Sequence, residues 1–250
     1  MHIILLKQRM EAILKVEHLE KKYGDLIAVN SISFEVYRGE IFGFLGPNGA
    51  GKTTTIKMMS GLLKPDKGQV FINSDPKRKS IGVCPQNIVI WENLTCHEQL
   101  VYMGQMYNIS LAESKKCSKE LLDALGLSDK KDKLAKTLSG GMQRRLNIAL
   151  ALVHSPLIVF LDEPQAGLDP QSRVLVRDYI RSIKQHTTVI LSTHDMEEAE
   201  KLSDRVCIMD QGKILAIGTT KELKIMNHFD SGEQNLEDVF IKMTGRSLRE

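Results

Sequence analysis

Residues 46–53, GPNGAGKT, have the types and spacing needed to hold phosphate. They match the pattern GxxxxGK[ST] directly after the apolar stretch IFGFL and directly before a helical pattern. Glycines let backbone N–H groups turn toward phosphate oxygens, the lysine ammonium can contact the β- and γ-phosphates, and the threonine hydroxyl can bind Mg²⁺. A simple glycine-rich turn is the alternative, yet average composition gives this pattern in only roughly one chain in a hundred. The sequence therefore predicts a phosphate-binding loop consisting of Gly46, Pro47, Asn48, Gly49, Ala50, Gly51, Lys52, Thr53 and Thr54.

Two acidic residues, Asp162 and Glu163, follow a second apolar stretch at 157–161. A phosphate-binding loop needs a metal-side carboxylate at the end of a neighbouring strand. We expect Asp162 to hold Mg²⁺ through its shell and Glu163 to accept a hydrogen bond from an attacking water, as base or orienter. Adjacent acids after a strand are often only a solvated turn, but the apolar stretch and the phosphate-binding loop together argue against that here.

The segment LSGGMQ at 138–143 distinguishes this chain from other nucleotide hydrolases. We expect Ser139 to cap a helix with one apolar stripe, and Gly140 and Gly141 to leave its first N–H groups bare. These residues would form a second anion site, 23 residues before Asp162. A capped helix with a flexible entry is the plain alternative, and the two interpretations are compatible.

The elements that must position these residues follow an alternating α/β order. Strands are predicted at 13–19, 32–38, 41–45, 81–84, 157–161, 188–192 and 205–209. Several of them are continuous apolar runs, which is typical of strands buried on both faces. One helix is predicted after Lys52, with its apolar face continuing to Leu63, and another after Asp169.

Between residues 93 and 155 the strand signals vanish and helix signals crowd together. Capping boxes at 95–98 and 110–113 indicate two helix starts, and Gly126 indicates a helix end. The predicted organisation is an N-terminal arm at 1–11, a single domain at 12–250, a helical subdomain inserted in it at 87–156, and a short helical tail at 236–250.

Composition excludes several other classes of protein. A chain of 250 residues with 42% hydrophobic and 26% charged side chains is neither disordered nor fibrous. The net charge of +3 is too small to indicate a nucleic-acid partner, and none is expected. The sequence has no run of 18 apolar residues, so no membrane span is predicted. Its four cysteines include no CxxC pair, which indicates reduced, cytosolic thiols.

Together these motifs resemble those of the ATP-binding-cassette (ABC) ATPases, whose remaining motifs follow in order along residues 13–213. The resemblance implies that Tyr23 stacks on adenine, with a core tyrosine as the alternative. It also implies that Gln86 reaches the metal or the water, that His194 hydrogen-bonds the γ-phosphate, and that 167–169 cross a dimer interface. The implied catalytic residues are Lys52, Gln86, Glu163 and His194, and the implied metal ligands are Thr53, Gln86 and Asp162.

The resemblance is greatest to ATPase subunits of bacterial and archaeal exporters of drugs and small molecules, through LSGGMQRRL, GLDPQSR and LEDVF. It implies an α/β fold: a P-loop nucleoside triphosphate hydrolase core of ABC type, with an inserted helical subdomain and an N-terminal antiparallel β portion. The implied cofactors are ATP and Mg²⁺. The implied partners are transmembrane permease subunits and a second, identical ATPase subunit whose Ser139 and Gly141 reach the γ-phosphate held by Lys52. The implied location is cytoplasmic, on the inner face of the cell membrane.

Two other classes are open to a chain with these motifs. A non-transport ABC ATPase could act on DNA, ribosomes or cofactor assembly, but such relatives usually carry a second cassette or long coiled coils. A P-loop kinase would need an acceptor site and has no use for LSGGM. The chain also departs from the exporter pattern, because Gln165 replaces the usual Thr or Phe and only 34 residues separate Lys52 from Gln86.

Trp91, the only tryptophan, lies five residues after Gln86. In the ABC family the cleft beside this glutamine receives a short helix of the transmembrane partner, and buried aromatic residues are common anchors of such contacts. We expect Ile88, Ile90 and Trp91 to line this cleft, with Trp91 partly exposed. Packing of Trp91 as ordinary core is the alternative.

Overall fold

A computed structural model describes residues 11–73, 81–226 and 235–245 of the chain. Its strands are β1 (Ala12–Tyr23), β2 (Leu26–Tyr37), β3 (Ile41–Leu45), β4 (Lys67–Ile72), β5 (Ile81–Cys84), β6 (Ile158–Asp162), β7 (Thr188–Thr193), β8 (Arg205–Asp210) and β9 (Lys213–Gly218). Its α-helices are α1 (Lys52–Met59), α2 (Cys96–Met106), α3 (Leu111–Ala124), α4 (Gly140–Leu152), α5 (Pro170–Ile183), α6 (Met196–Leu202), α7 (Thr220–Met226) and α8 (Leu236–Thr244). This alternation confirms the predicted α/β class.

A six-stranded sheet with the order β5-β6-β7-β3-β8-β9 forms the centre of the fold. Its neighbouring strands are parallel except for β8 and β9. Every residue of β3, β6 and β7 is buried, as expected for continuous apolar strands covered on both faces. Because β3, β5, β6 and β7 run in the same direction, the residues that follow them meet at one edge of the sheet.

The strand that ends in Asp162 is not a neighbour of β3, so the sequence-based expectation was wrong on this point. Strand β7 lies between β3 and β6 and pairs with both. Its residues, TVILST, are all buried, which suits an interior position in the sheet. Its last two side chains, Ser192 and Thr193, are small, and the Asp162 carboxylate reaches past them to Thr53 in the helix after β3.

A second, antiparallel sheet with the order β2-β1-β4 confirms the predicted N-terminal β portion. Phe34 of β2 packs against Phe42 and Phe44 of β3 with ring centroids 5.4–5.6 Å apart, which joins the two sheets. Strands β4 and β9 were not predicted. The residues of β4 are exposed or half-buried, so β4 lacks the apolar run by which a strand is recognised and forms by pairing with β1.

Helices α2 to α4 occupy the chain between β5 and β6. Thr95 and Glu98 form the predicted capping box. At the second predicted box Ser110 accepts the Glu113 N–H at 3.2 Å, but the Glu113 carboxylate lies 3.8 Å from the exposed Lys116 ammonium instead of returning to the cap. Gly126 follows the end of α3, as predicted, and has a φ of +62°.

Helix α1 is shorter than the sequence predicts. It ends at Met59, so Leu63 lies beyond it. Gly61 has a φ of +77°, a left-handed conformation that stops the helix before the apolar repeat is complete. Leu63 still packs, half-buried, against the core around Ile56.

The terminal predictions fall partly outside the described residues. Helix α8 begins at Leu236, where the helical tail is predicted, but residues 246–250 and residues 1–10 of the predicted arm are not described. No helix in the described part of the chain is long and apolar enough to cross a membrane. All four cysteines are free thiols.

Candidate functional site

The predicted phosphate-binding loop connects β3 to α1, and its glycines are required by close backbone contacts. A Cβ atom on Gly46 would lie 2.2 Å from the Met209 carbonyl oxygen, and one on Gly51 would lie 2.4 Å from that of Ala28. Gly51, with a φ of +102°, occupies the N-cap of α1 and offers no side-chain acceptor to the helix. The first N–H groups of α1 therefore remain available to an anion.

Lys52 is a buried cation whose ammonium faces the loop. Its Nζ donates to the carbonyl oxygens of Gly46 at 2.6 Å and Pro47 at 3.1 Å, and lies 4.0 Å from Oε1 of Glu163. Burial lowers the pKa of Lys52, while the charges of Glu163 and Asp162 act in the opposite direction. An anion beside this ammonium would favour its charged form, which is the electrostatic condition for binding phosphate.

One oxygen of Asp162 connects the loop to the ends of two strands. Oδ1 of Asp162 accepts a hydrogen bond from Thr53 Oγ1 at 3.1 Å and another from Ser192 Oγ. Hydroxyl and carboxylate oxygens are ligands that Mg²⁺ prefers, so the donor set fits the predicted metal. No group of three or more His, Cys, Asp or Glu side chains suited to a metal occurs in the described residues. Mg²⁺ bound to proteins usually keeps several waters and uses one or two carboxylates together with substrate phosphates.

Glu163 and His194 meet at the same edge of the sheet. Glu163 has a φ of +51°, and its backbone N–H donates to the carbonyl oxygen of Ser192 at 3.2 Å and to its hydroxyl at 3.1 Å. These contacts hold the glutamate in a conformation that non-glycine residues rarely adopt. Nδ1 of His194 lies 3.0 Å from Oε1 of Glu163, and His194 is about half exposed whereas Glu163 is buried. A carboxylate and an imidazole are thus paired at the mouth of the site.

A cavity of about 740 Å³ lies beside these groups; Lys52, Thr53 and Glu163 line it, whereas Asp162 and His194 are not in its described lining and contact Thr53 and Glu163 instead. Its lining includes Tyr23, the loop from Asn48 to Thr54, Gln86 and Glu163. The cavity is large enough for a nucleotide-sized ligand. Tyr23 is half exposed at its wall, which argues against the core-tyrosine alternative, while its stacking on adenine stays a prediction.

Four further lining residues were not found from the sequence: Leu26, Ile27, Ala28 and Gln211. Leu26 is 66% exposed, so an apolar side chain of β2 lies uncovered beside the phosphate-binding loop. Apolar walls with a few placed polar groups are typical of small-molecule sites. The sequence carries no local signal for these residues, because they reach the cavity only where β2 and the turn between β8 and β9 pack around the loop.

The second predicted anion site does not belong to the described lining of this cavity. Ser139 caps α4, accepting the Met142 N–H at 3.4 Å. Neither Ser139 nor Gly140 and Gly141 are among the described residues lining the cavity. Gly141 instead lies beside the loop at 167–169, since a Cβ atom added to it would be 3.5 Å from the Leu168 side chain. The structure therefore does not bring the two predicted phosphate sites together in a single subunit.

Arg144 is a buried residue of α4 that the sequence analysis missed. Its guanidinium donates to the carbonyl oxygen of Pro85 at 3.0 Å and to that of Gln86. The available signal is its position one helical turn before the buried Ile148, because a buried arginine must find hydrogen-bond acceptors. Arg144 thus fixes the backbone of the predicted Gln86 loop to the helix that Ser139 caps.

A second, mostly apolar cavity of about 420 Å³ lies between the helical region and the sheet. Ile90 and Trp91 line it as predicted, whereas Ile88 is exposed but does not belong to the described lining. Trp91 is 38% exposed and packs edge to face on Tyr102, with ring centroids 5.6 Å apart. The predicted partial exposure of Trp91 is confirmed.

Comparison with known proteins gives consistent matches. A family profile described as ABC transporter matches residues 29–166. The chain is 43% identical to the linearmycin resistance ATP-binding protein LnrL of Bacillus subtilis (strain 168) over 84% of its own length and 70% of that protein. It is 45% identical to the daunorubicin/doxorubicin resistance ATP-binding protein DrrA of Streptomyces peucetius, over 82% of its own length and 65% of that protein. A solved structure of an ATP binding subunit of an ABC transporter superposes with a TM-score of 0.84 at 28% identity, covering 93% of this chain and 99% of the other.

Replacing Arg144 by Met should loosen the Gln86 loop, because the apolar stem is kept while the two carbonyl contacts are lost. We expect amide hydrogen exchange to rise in residues 86–92, corresponding to a local loss of about 1–3 kcal/mol. Arg145→Met is the matched control, since Arg145 donates instead to the carbonyl oxygens of Leu125 and Gly126. Its exchange should rise near the end of α3 only. Unchanged protection of residues 86–92 in Arg144→Met would contradict the assignment.

Proposed function

Because this chain belongs to the ABC transporter family and is an ATPase of that family, we propose that two copies of it bind ATP and Mg²⁺ between them and drive export through membrane-embedded subunits. The observation that carries this proposal is that Lys52, Thr53 and Glu163 line one cavity, while Asp162 is hydrogen-bonded to Thr53 and His194 is paired with Glu163 directly behind that lining. Phosphate-binding, metal-binding and proton-accepting groups are thereby within reach of one bound nucleotide.

Binding of ATP would use groups that the structure already orients. The bare N–H groups at the start of α1 face the phosphates, and Lys52 can exchange the carbonyl oxygens of Gly46 and Pro47 for phosphate oxygens. Thr53 and Asp162 would hold Mg²⁺, with Gln86 on the same cavity wall, and the metal would neutralise charge on the phosphate oxygens. Tyr23 would contact the base.

Hydrolysis would depend on Glu163. Water attacks the γ-phosphorus and passes a proton to the Glu163 carboxylate, while the bond to the bridging oxygen breaks and ADP keeps the electron pair. The buried position of Glu163 and its two backbone contacts with Ser192 fix the carboxylate for this role. His194, 3.0 Å from Glu163, would orient the carboxylate and hydrogen-bond the γ-phosphate.

The proposed dimer follows from the separation of the two anion sites. The N-terminus of α4 has a serine cap and two glycines but does not face the cavity of its own chain. In a head-to-tail dimer, Ser139, Gly140 and Gly141 of one copy would complete the site that contains Lys52 of the other. ATP would then contact both subunits only in the closed dimer and favour closure by that difference in affinity, which hydrolysis removes.

The membrane partners would dock at the apolar cavity beside Gln86. Trp91 lies partly exposed at this cavity, and Pro85, which precedes Gln86, lines it too. A helix inserted there would contact the backbone segment at Pro85 and Gln86 that Arg144 holds. Pro85 lines the apolar cavity and Gln86 lines the nucleotide cavity, so this segment would connect docking to the nucleotide site. We place the subunit at the cytoplasmic face of the cell membrane on this basis. The relatives named for drug resistance support export as the direction.

Lys52→Ala and Glu163→Gln should separate binding from hydrolysis. The first removes the buried ammonium, so MgATP should no longer raise the melting temperature; in the wild type, ATP at a hundred times its Kd should stabilise the fold by about 2.7 kcal/mol. The second keeps the shape of the side chain but not its proton-accepting power, so binding should survive while turnover stops. Calorimetric titration and phosphate release measure the two effects. Unchanged ATP affinity in Lys52→Ala would refute the phosphate-binding assignment.

Mixing two inactive variants should test whether the site is shared between subunits. A heterodimer of a Lys52→Ala chain and a Ser139→Arg chain contains one site with both halves intact if the site is built from two chains. ATPase activity should therefore reappear on mixing and scale with the heterodimer fraction. If activity stays at the level of either variant alone, the 139–141 segment does not act across a dimer.

Trp91→Glu should weaken assembly with the membrane subunit while leaving the isolated ATPase folded. The side chain is 38% exposed, so a charge there is solvated in the free subunit but is buried without a partner on docking. Co-purification with the permease measures assembly, and Tyr102→Glu, at an exposed residue that packs on Trp91 but does not line the cavity, is the control. A collapse of the melting temperature in Trp91→Glu would show that the residue is core.

A further inference from the structure

Three arginines on α5 lie four residues apart, and each contacts α6 or its N-cap residue, Asp195. We refer to Arg173, Arg177 and Arg181 as the α5 arginines. Arg173 lies 3.3 Å from Oδ2 of Asp195, Arg177 lies 3.1 Å from Oε1 of Glu198, and Arg181 donates to the carbonyl oxygen of Lys201. Because residues four apart share one helix face, these contacts attach one side of α5 to the whole length of α6.

Arg173 differs from the other two because it also holds the loop before α5. Its Nε donates to the carbonyl oxygen of Leu168 at 3.2 Å. Leu168 is buried, and its side chain lies beside Gly141 at the start of α4, where an added Cβ atom would be 3.5 Å from it. The Arg173 guanidinium therefore bonds both to Asp195 and to the loop at 167–169, which lies beside the predicted second anion site.

Asp195 is the residue directly after His194, and three hydrogen bonds fix it. Its Oδ1 caps α6 by accepting the Glu198 N–H at 3.0 Å, and its own N–H donates to Thr193 Oγ1 at 3.0 Å. Its Oδ2 is the oxygen that faces Arg173. The carboxylate is thus shared between the helix cap and Arg173, and the backbone next to His194 is fixed from both sides. His194 itself contacts Glu163.

We propose that Arg173 is a positioning residue that couples the loop at 167–169 to His194. A displacement of this loop, for instance on contact with a second subunit, is transmitted by the guanidinium to Asp195 and changes the place of the imidazole relative to Glu163. A planar guanidinium can donate in two directions at fixed geometry, which a lysine ammonium on a flexible stem does not reproduce. The inference rests on the proposed ATPase site and names a residue that controls it without touching ATP.

Burial separates this role from a merely stabilising one. The side chains of Arg173 and Asp195 are 40% and 35% exposed, whereas those of Arg177 and Glu198 are 14% and 12% exposed. An exposed ion pair contributes little to stability, and breaking a more buried pair costs more. If the α5 arginines only held two helices together, loss of Arg177 would therefore be the more damaging change for stability and for turnover.

The test compares Arg173→Gln with Arg177→Gln in the full chain. We expect Arg173→Gln to lower kcat about tenfold at nearly unchanged KM for ATP, an effect within the range expected of a residue that couples two sites. Arg177→Gln should lower the melting temperature more and leave kcat nearly unchanged. Hydrogen exchange should rise at 167–169 and 193–196 only in Arg173→Gln, and Arg173→Lys should restore little of the lost turnover.

Equal losses of kcat in the two variants, or unchanged exchange at 193–196 in Arg173→Gln, would overturn the coupling role while the wild-type ATPase stands. Full recovery of kcat in Arg173→Lys would overturn it too, since a simple ion pair would then suffice. A wild-type chain that binds no ATP and has no ATPase activity would overturn the proposed function and this inference with it.

Discussion

Oδ1 of Asp162 is the acceptor on which the geometry of the site depends. It receives hydrogen bonds from Thr53 in α1 and from Ser192 in β7, and it is buried where such bonds are strong and an unpaired acceptor is costly. Three separate pieces of chain are therefore held at one point. Glu163 follows directly and is fixed to Ser192, so the position of the proposed base is a consequence of the same contacts.

Helix α4 connects the two ends of the proposed mechanism. Its N-terminus carries the glycines at 140 and 141, next to Leu168, and its second turn carries Arg144, which holds the backbone at Pro85 and Gln86. A rigid rotation of α4 would move both ends together, because helices and packed cores shift as units rather than deform. The apolar cavity with Trp91 lies along this same helix, through Leu150 and Ala151. The apolar cavity, the backbone at Gln86 and the glycines at 140 and 141 thus all adjoin one helix.

The sequence determined the parts of the site whose chemistry is local. The predicted phosphate-binding loop lies between a buried strand and a helix as expected. This was predictable because glycines are needed for backbone conformations that are determined within a few residues. The caps at Thr95 and Ser139 were predictable for the same reason, since a cap bonds to N–H groups two or three residues away. Membership of the ABC family, inferred from the order of these motifs, is confirmed by the family match over residues 29–166.

Tertiary structure decided what depends on distant pairing. Strand β7 lies between β3 and β6 because it pairs with both, and its β3 partner is remote in the sequence: Ile41 pairs with Val189, whereas Ile158 of β6 pairs with Thr188. The pairing of β4 with β1, with Leu14 opposite Ile72, also joins separate segments. Arg144 and Arg173 resemble other helix arginines in the sequence, because the Pro85 carbonyl and the Asp195 carboxylate that face them belong to other segments of the chain. The place of Leu26 in the cavity wall could not be predicted from the sequence for the same reason. Backbone conformations of caps and tight turns depend on neighbouring residues and can be inferred from them. The partners of a side chain are determined only when the order of strands in the sheet brings remote segments together.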